Sequence, residues 1–264
     1  MSLSKQVNYD PIAPGYDQRV QGTYLVGVTS ALQSLARKVR ARHILDLGCG
    51  TGRSLQGLAN SLHPVPTLYG LDLSAGMLKQ ARFLDATYRL VQASAPYPPF
   101  AKNSFDLIFC THAFHHFPDK PRVVRAAYAL LRPGGAFAIV NFDPREGGKY
   151  QWPIYEYFEG TYETDLERFP AIAEQEAMLQ QANFQQVSSP VVQYIENRLV
   201  DEAIFDSYHI RKEACSQLIL LSVEAYQAGL ERMRARIATA KARGETVIFQ
   251  TQLKNRMCHG FKPG

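Results

Sequence analysis

The residues with the clearest chemistry are Asp46-Leu-Gly-Cys-Gly-Thr-Gly52. Gly48, Gly50 and Gly52 carry no Cβ, so the backbone can turn sharply there and come close to a ligand. A helix opening just after them presents free N–H groups, which suit a carboxylate or a phosphate. Asp46 stands at the end of a strand, the usual place for a ligand-binding group in an open α/β sheet. A dinucleotide fingerprint counted from Gly48 needs glycine at position 53, where Arg53 stands, and no Gly-Lys-Ser/Thr follows to make a P-loop.

A second group is Thr111-His-Ala-Phe-His-His-Phe-Pro118. His115 and His116 are candidate general bases, because the ordinary pKa of histidine lies near neutrality. His209 is a third candidate, with Tyr208 and Arg211 as polar neighbours able to meet a substrate. No metal is expected: no carboxylate or cysteine motif around His112, His115 and His116 defines a coordination geometry. A third group is aromatic, with Tyr150, Trp152, Tyr155, Tyr157, Phe158 and Tyr162 in thirteen residues. The spacing of Trp152, Tyr155, Phe158 and Tyr162 predicts one helical stripe, either packing a lid on the core or lining an apolar pocket. Tyr150, Trp152, Tyr155, Phe158 and Tyr208 are the substrate candidates.

Around these groups the chain alternates strand and helix. Strands are expected at the end of 39–45, then at 68–71, 88–92, 104–110 and 136–141. Helices are expected from 53, then at 75–83 and 120–131. The 104–110 segment is nearly continuous in apolar residues, as a parallel strand covered on both faces should be. A lead-in helix over 17–38 carries Val20, Tyr24, Val28, Leu32, Leu35 and Val39 on one side. Further on, 172–181 reads as helix, 190–195 as strand, 200–241 as mainly helix and 246–252 as the last strand. This is the doubly wound α/β pattern. A single domain over 1–264 is expected, with a helical lead-in at 1–40 and lid segments near 143–172 and 198–243.

The Asp-x-Gly-x-Gly-x-Gly loop, with Asp72 in Leu68-Tyr-Gly-Leu-Asp-Leu-Ser-Ala-Gly-Met-Leu78, resembles the class I S-adenosylmethionine-dependent methyltransferases. Within them it is similar to the ubiquinone-biosynthesis and trans-aconitate branch. The resemblance implies a Rossmann-like seven-stranded sheet of order 3-2-1-4-5-7-6 with strand 7 antiparallel. It implies S-adenosylmethionine as cofactor and S-adenosylhomocysteine as product. The loop residues Asp46, Gly48, Cys49, Gly50 and Gly52 would then wrap the methionine part. Asp72, beside Leu73, would bind the ribose hydroxyls, Met77 would border the adenosine, and Thr111 and His112 would lie on the cofactor side. Tyr16 or Tyr9 would approach the cofactor carboxylate from the lead-in. Ser94 stands where relatives usually have Asp, so a weaker adenine contact is expected there, with the Ala95 N–H still serving the ring. The implied activity is methyl transfer to a small, apolar or aromatic metabolite. An RNA or protein methyltransferase and a cofactor-binding protein without catalysis remain alternatives at this point.

Composition narrows the partners. The 264 residues are 46% apolar, enough for one sizeable core. The net charge of +5 comes largely from dispersed runs such as 37–42 and 232–236, which make a solvated face. No basic patch interleaved with aromatics points to nucleic acid. No apolar run reaches bilayer length and residues 1–6 lack a signal-peptide core, so no membrane insertion is expected. Cys49, Cys110, Cys215 and Cys258 are scattered, as thiols of a reducing compartment would be, and a cytoplasmic enzyme fits. Monomer and homodimer are equally compatible with the sequence.

Overall fold

The computed structural model describes residues 7–19 and 25–264. Its sheet is built on β1 (His43–Leu47), β2 (Thr67–Asp72), β3 (Arg89–Gln92), β4 (Phe105–Thr111) and β5 (Leu131–Asn141), paired in parallel. The remaining strands are β6 (Gln185–Ser188), β7 (Val191–Val200) and β8 (Ile248–Phe261). The order is β3-β2-β1-β4-β5-β8-β6, with β8 antiparallel to both neighbours. The expected reversal is therefore present, with β8 in the place of the seventh strand and β7 as an additional strand paired to its first half.

Of the helices α1 (Val26–Lys38), α2 (Arg53–Ser61), α3 (Ala75–Leu84) and α4 (Lys120–Leu130), the last three follow the sequence pattern closely. Ser74 caps α3, its hydroxyl accepting from the Met77 N–H at 3.0 Å, and Asp119 caps α4 through the Arg122 N–H at 2.9 Å. Each helix buries an apolar stripe, such as Val28, Leu32 and Leu35 on α1 and Val123, Val124 and Ala127 on α4. These stripes cover the two faces of the sheet and form its two main apolar clusters.

Three expectations are corrected. The lead-in is not one helix: residues Asp10–Arg19 form a 3-10 helix and α1 starts at Val26, while Val20 and Tyr24 lie outside the described residues. The aromatic stripe is broken as well. A 3-10 turn at Lys149–Gln151 is followed by α5 (Pro153–Tyr157) and α6 (Thr161–Arg168). Pro153 can only start a helix, and Gly160, with φ of 79°, separates the next. Finally, β8 runs to Phe261, well beyond the expected end at 252.

Helix α7 (Ile172–Gln181) forms where expected. After β7 come α8 (Ala203–Asp206), α9 (Ser216–Ile219) and the long α10 (Val223–Lys241). Together α5, α8, α9 and α10 build a third apolar cluster from Ile154, Phe158, Leu218, Met233 and Ile237. It lies against β8 through Val247 and Phe249.

Candidate functional site: two cavities with a shared wall

The strand ends of β1, β2 and β4 meet around the glycine loop. Gly48 (φ 75°) and Gly50 (φ 53°) take left-handed backbone there. A Cβ on Gly48 would lie 2.6 Å from Ala113 Cβ, whereas one on Gly50 would meet nothing within 4 Å. Gly48 therefore lets the loop pack on the β4 turn, and Gly50 keeps its open side clear for a ligand. Asp72 ties this loop to the next: its Oδ2 accepts from the Gly50 N–H at 2.8 Å and its Oδ1 from the Ser74 N–H at 2.9 Å. Burial pushes the Asp72 carboxyl up, and the N–H groups of Ser74, Gly50 and Leu73 pull it back.

Asp46 is 2% exposed, and its Oδ1 has no hydrogen-bond partner in the described chain. Burial, then the nearby Asp72 charge, pushes its carboxyl well above the usual range. A buried carboxylate of this kind is relieved by a cationic ligand group, and the ammonium and sulfonium of S-adenosylmethionine supply such charge. A cavity of about 550 Å³, within the range of small-ligand sites, opens beside the loop; Asp46 and Gly52, both expected at the cofactor, are not among its lining residues, and Gly52 faces Ala81 and Tyr88 instead. The cavity walls include Gly48, Cys49, Gly50, Asp72, Leu73, Met77, Ser94, Ala95, Thr111 and His112. These residues fit the cofactor inferred from the motif: the Asp72 carboxylate for hydroxyl groups, apolar Met77 and Ala95 for a base.

The 3-10 helix closes the outer side. Asp10 accepts from Ser74 Oγ at 2.6 Å and from the Gly76 N–H at 2.8 Å, seating it on the first turn of α3. Asp17 accepts from Thr51 Oγ1 at 2.6 Å and pairs with Arg53 Nε at 3.0 Å, seating it on the first turn of α2. Tyr9 and Tyr16 pack edge to face at 5.8 Å, and the Tyr9 hydroxyl lies 2.8 Å from His116 Nε2. Sequence reasoning missed Asp10, Asp17 and Thr51. An acidic residue on each side of Tyr16 gave no signal of which helix each would cap.

A second cavity of about 350 Å³ abuts the first, and both are lined by Tyr9, Tyr16, His112 and His116. Its apolar walls come from Phe142, Trp152, Phe169, Ile195, Phe249 and Leu253. The shared wall thus lies between a cofactor-sized space and an aromatic one. His112 sits in it with a left-handed backbone (φ 52°), its N–H donating to the Val140 carbonyl at 2.9 Å. Such strain in a bulky residue is held by its surroundings and gathers at functional sites. Phe142, Phe169, Phe249 and Leu253 were not among the sequence candidates. They lie far apart in the chain, and each reads singly as ordinary core.

Of the sequence candidates for the acceptor side, Trp152, His115, His116 and His209 line the second cavity. The other four do not. Tyr150 is 79% exposed on the outside of the fold. Tyr155 is fully buried and gives its hydroxyl to Asp165 at 2.7 Å. Phe158 stacks on Tyr226 and fills the space left by Gly229, where a Cβ would lie 2.3 Å from its ring. Tyr208 stands under the Arg211 guanidinium, 5.3 Å from ring centroid to carbon, outside both walls. The broken helix explains this: without a continuous stripe, only Trp152 keeps the inward direction.

His115 lines the cavity but is buried, stacked on Phe169 at 4.0 Å, with Nδ1 3.4 Å from Asn141 Nδ2. Burial, then His116, Arg168, His112 and Lys120, hold its pKa well below the usual value, which favours the neutral ring.

Comparisons with known proteins agree with this geometry. A family model described as "Methyltransferase domain" matches residues 45–139, from the glycine loop to β5. The demethylmenaquinone methyltransferase of Lactiplantibacillus plantarum is 31% identical over 210 residues, 68% of this chain and 86% of that protein. The ubiquinone biosynthesis O-methyltransferase of Bordetella avium is 32% identical over 121 residues, 43% of this chain and 49% of that one. Among solved structures, Haemonchus contortus phosphoethanolamine N-methyltransferase 2 in complex with S-adenosyl-L-methionine aligns with a TM-score of 0.61. Its identity is 17%, covering 97% of this chain and 57% of that one, which speaks to the fold alone. The relationship in sequence, with the matching loop and sheet order, makes this chain a member of the class I S-adenosylmethionine-dependent methyltransferases, in the ubiquinone- and menaquinone-biosynthesis-like branch, with S-adenosylmethionine as its cofactor.

Proposed function

We propose that the acceptor is a small, largely planar molecule bound in the second cavity and methylated across the wall of His112, His116, Tyr9 and Tyr16. The observation that carries this is the aromatic-lined space directly beside the cofactor cavity. A planar ring laid against the packed rings of Trp152, Phe142 and Phe169 would gain area burial and ring–ring contacts. When bound, S-adenosylmethionine supplies an activated methyl group, so the chain's task is mainly to align the nucleophile with it. His116 is the residue best placed to take a proton from an acceptor hydroxyl or amine. The Tyr9 hydroxyl at 2.8 Å holds its ring in place. A quinone-related ring is favoured by the branch to which the chain belongs. Among the described residues no helix is long and apolar enough to cross a membrane.

The test is turnover on a panel of phenols, naphthols, hydroquinones and small amines, alongside tRNA and a basic protein tail. Small-ring turnover is expected, with Trp152→Ala raising KM while S-adenosylhomocysteine affinity stays within about twofold. Turnover on the macromolecules alone would reverse the proposal.

A further inference from the structure

The second cavity is apolar on most sides but carries Ser216 and Gln217 at one place on its wall. Behind them lies a buried ionic group. Asp165, fully buried, accepts from Tyr155 at 2.7 Å, Gln217 Nε2 at 2.5 Å and Arg168 Nη2 at 2.6 Å. Arg168 Nη2 also donates to Ser216 Oγ at 3.0 Å. Arg168 is 9% exposed, and its Nε and Nη1 make no hydrogen bond within the described chain. A guanidinium offers five N–H donors and cannot shed its charge, so a buried one with donors unspent wants an acceptor. Asp165 already spends itself on three partners.

Asp165 faces Arg168 from behind the wall, while the groups acting on His115 from the cavity side, His116, Arg168, His112 and Lys120, are all basic. The cavity's own carboxylate, Glu196, is exposed on β7, where solvent and salt screen it. Apolar side walls would strengthen the attraction of this basic depth for an anion.

We propose that the acceptor carries a carboxylate, which draws the Ser216 hydroxyl away from its long bond to Gln217 Oε1 (3.4 Å), binds there with Arg168 behind it, and turns the reacting end of the ring toward His116. The inference rests on the small-acceptor proposal and narrows it from any planar ring to an acidic one. Arg168 and Ser216 are then specificity-determining residues, and Asp165, Tyr155 and Gln217 position them.

The test uses a matched pair of probes, 1-hydroxy-2-naphthoate and 1-naphthol, titrated calorimetrically into the protein saturated with S-adenosylhomocysteine. The wild type should bind the carboxylate probe about tenfold tighter or more, as a charge-assisted hydrogen bond allows. Ser216→Ala should shrink that preference. The double variant Asp165→Asn/Arg168→Gln removes both charges, leaving no lone buried ion, and should abolish it while 1-naphthol binds as before. Equal binding of the two probes to wild type, or a preference intact in both variants, overturns the inference and leaves the small-acceptor proposal standing. If the double variant does not fold, Ser216→Ala decides, and an unchanged preference overturns it. Binding of neither probe overturns both.

Discussion

Asp72→Asn tests the cofactor site most directly, because the carboxylate has two duties that the substitution separates. In the structure both oxygens are spent on backbone N–H groups, Gly50 at 2.8 Å and Ser74 at 2.9 Å. The ribose hydroxyls, if they bind here, would use the remaining lone pairs of the same oxygens. Asparagine keeps the shape but has one acceptor oxygen, so its amide nitrogen must face either an N–H or a hydroxyl. Losing one charge-assisted bond costs about 1.5–3 kcal/mol. Removing the charge also relieves Asp46, whose carboxyl Asp72 helps to push up. The fold should therefore lose less than the ligand does. The expected outcome is a rise of roughly 10- to 150-fold in the Kd for S-adenosylhomocysteine, with a smaller fall in stability. Calorimetric titration and a thermal melt on the same sample measure both, with NAD as a control expected not to bind wild type. A folded variant that binds within twofold of wild type would refute the assignment of Asp72 to the cofactor.

Tyr155→Ala should destabilise the fold by about 3–5 kcal/mol, as for a buried aromatic, yet leave turnover of an acceptor without a carboxylate nearly unchanged per folded molecule; a rise in KM for that acceptor at full stability would return Tyr155 to the pocket. Gly48→Ala should weaken S-adenosylhomocysteine binding by distorting the loop, and adding Ala113→Gly should restore part of it by removing the 2.6 Å clash; no gain from the second change would show that the contact does not matter. Stability should be full above the ordinary histidine pKa of about 6.5 and fall below it, because the unfolded chain binds a proton there that buried His115 refuses. One such proton gives a slope of about 1.4 kcal/mol per pH unit, and His115→Asn should flatten urea-melt stability over that range. An unaltered slope would mean that other groups carry the acid sensitivity.

The cofactor half was legible because its signals are local. The glycine loop, Asp72 and the strands β1 to β5 lie between 43 and 141, and most of these strands carry a short apolar run bounded by turns. The acceptor half was not, because its walls converge from segments spread along more than a hundred residues, from Phe142 through Phe169 to Leu253. Aromatic residues mark either core or pocket, and only the break at Gly160 and the space at Gly229 decide that Phe158 goes to the core. The length of β8 was hidden for a different reason. Its residues 250–256 are mostly polar, since β7 and β8 form a ribbon that faces solvent along much of its length, with Phe249, Leu253 and Met257 turned inward.

The position of β8 has a consequence for the order in which the protein becomes competent during synthesis. Strands β1 to β5 and their helices can assemble as they leave the ribosome, since their partners are near in sequence. By contrast, β6 and β7 have no strand to pair with until residues 248–261 emerge and insert between β5 and β6. Closing that long loop is entropically costly and slow relative to local pairing. A ribosome-tethered chain stalled before residue 248 should already protect amides in β1 and β4 from hydrogen exchange. It should leave β6 and β7 unprotected and lack Phe249, Thr251 and Leu253, part of the acceptor wall. The methyl donor's place would thus be prepared first, and the place for whatever receives the methyl would come into being last.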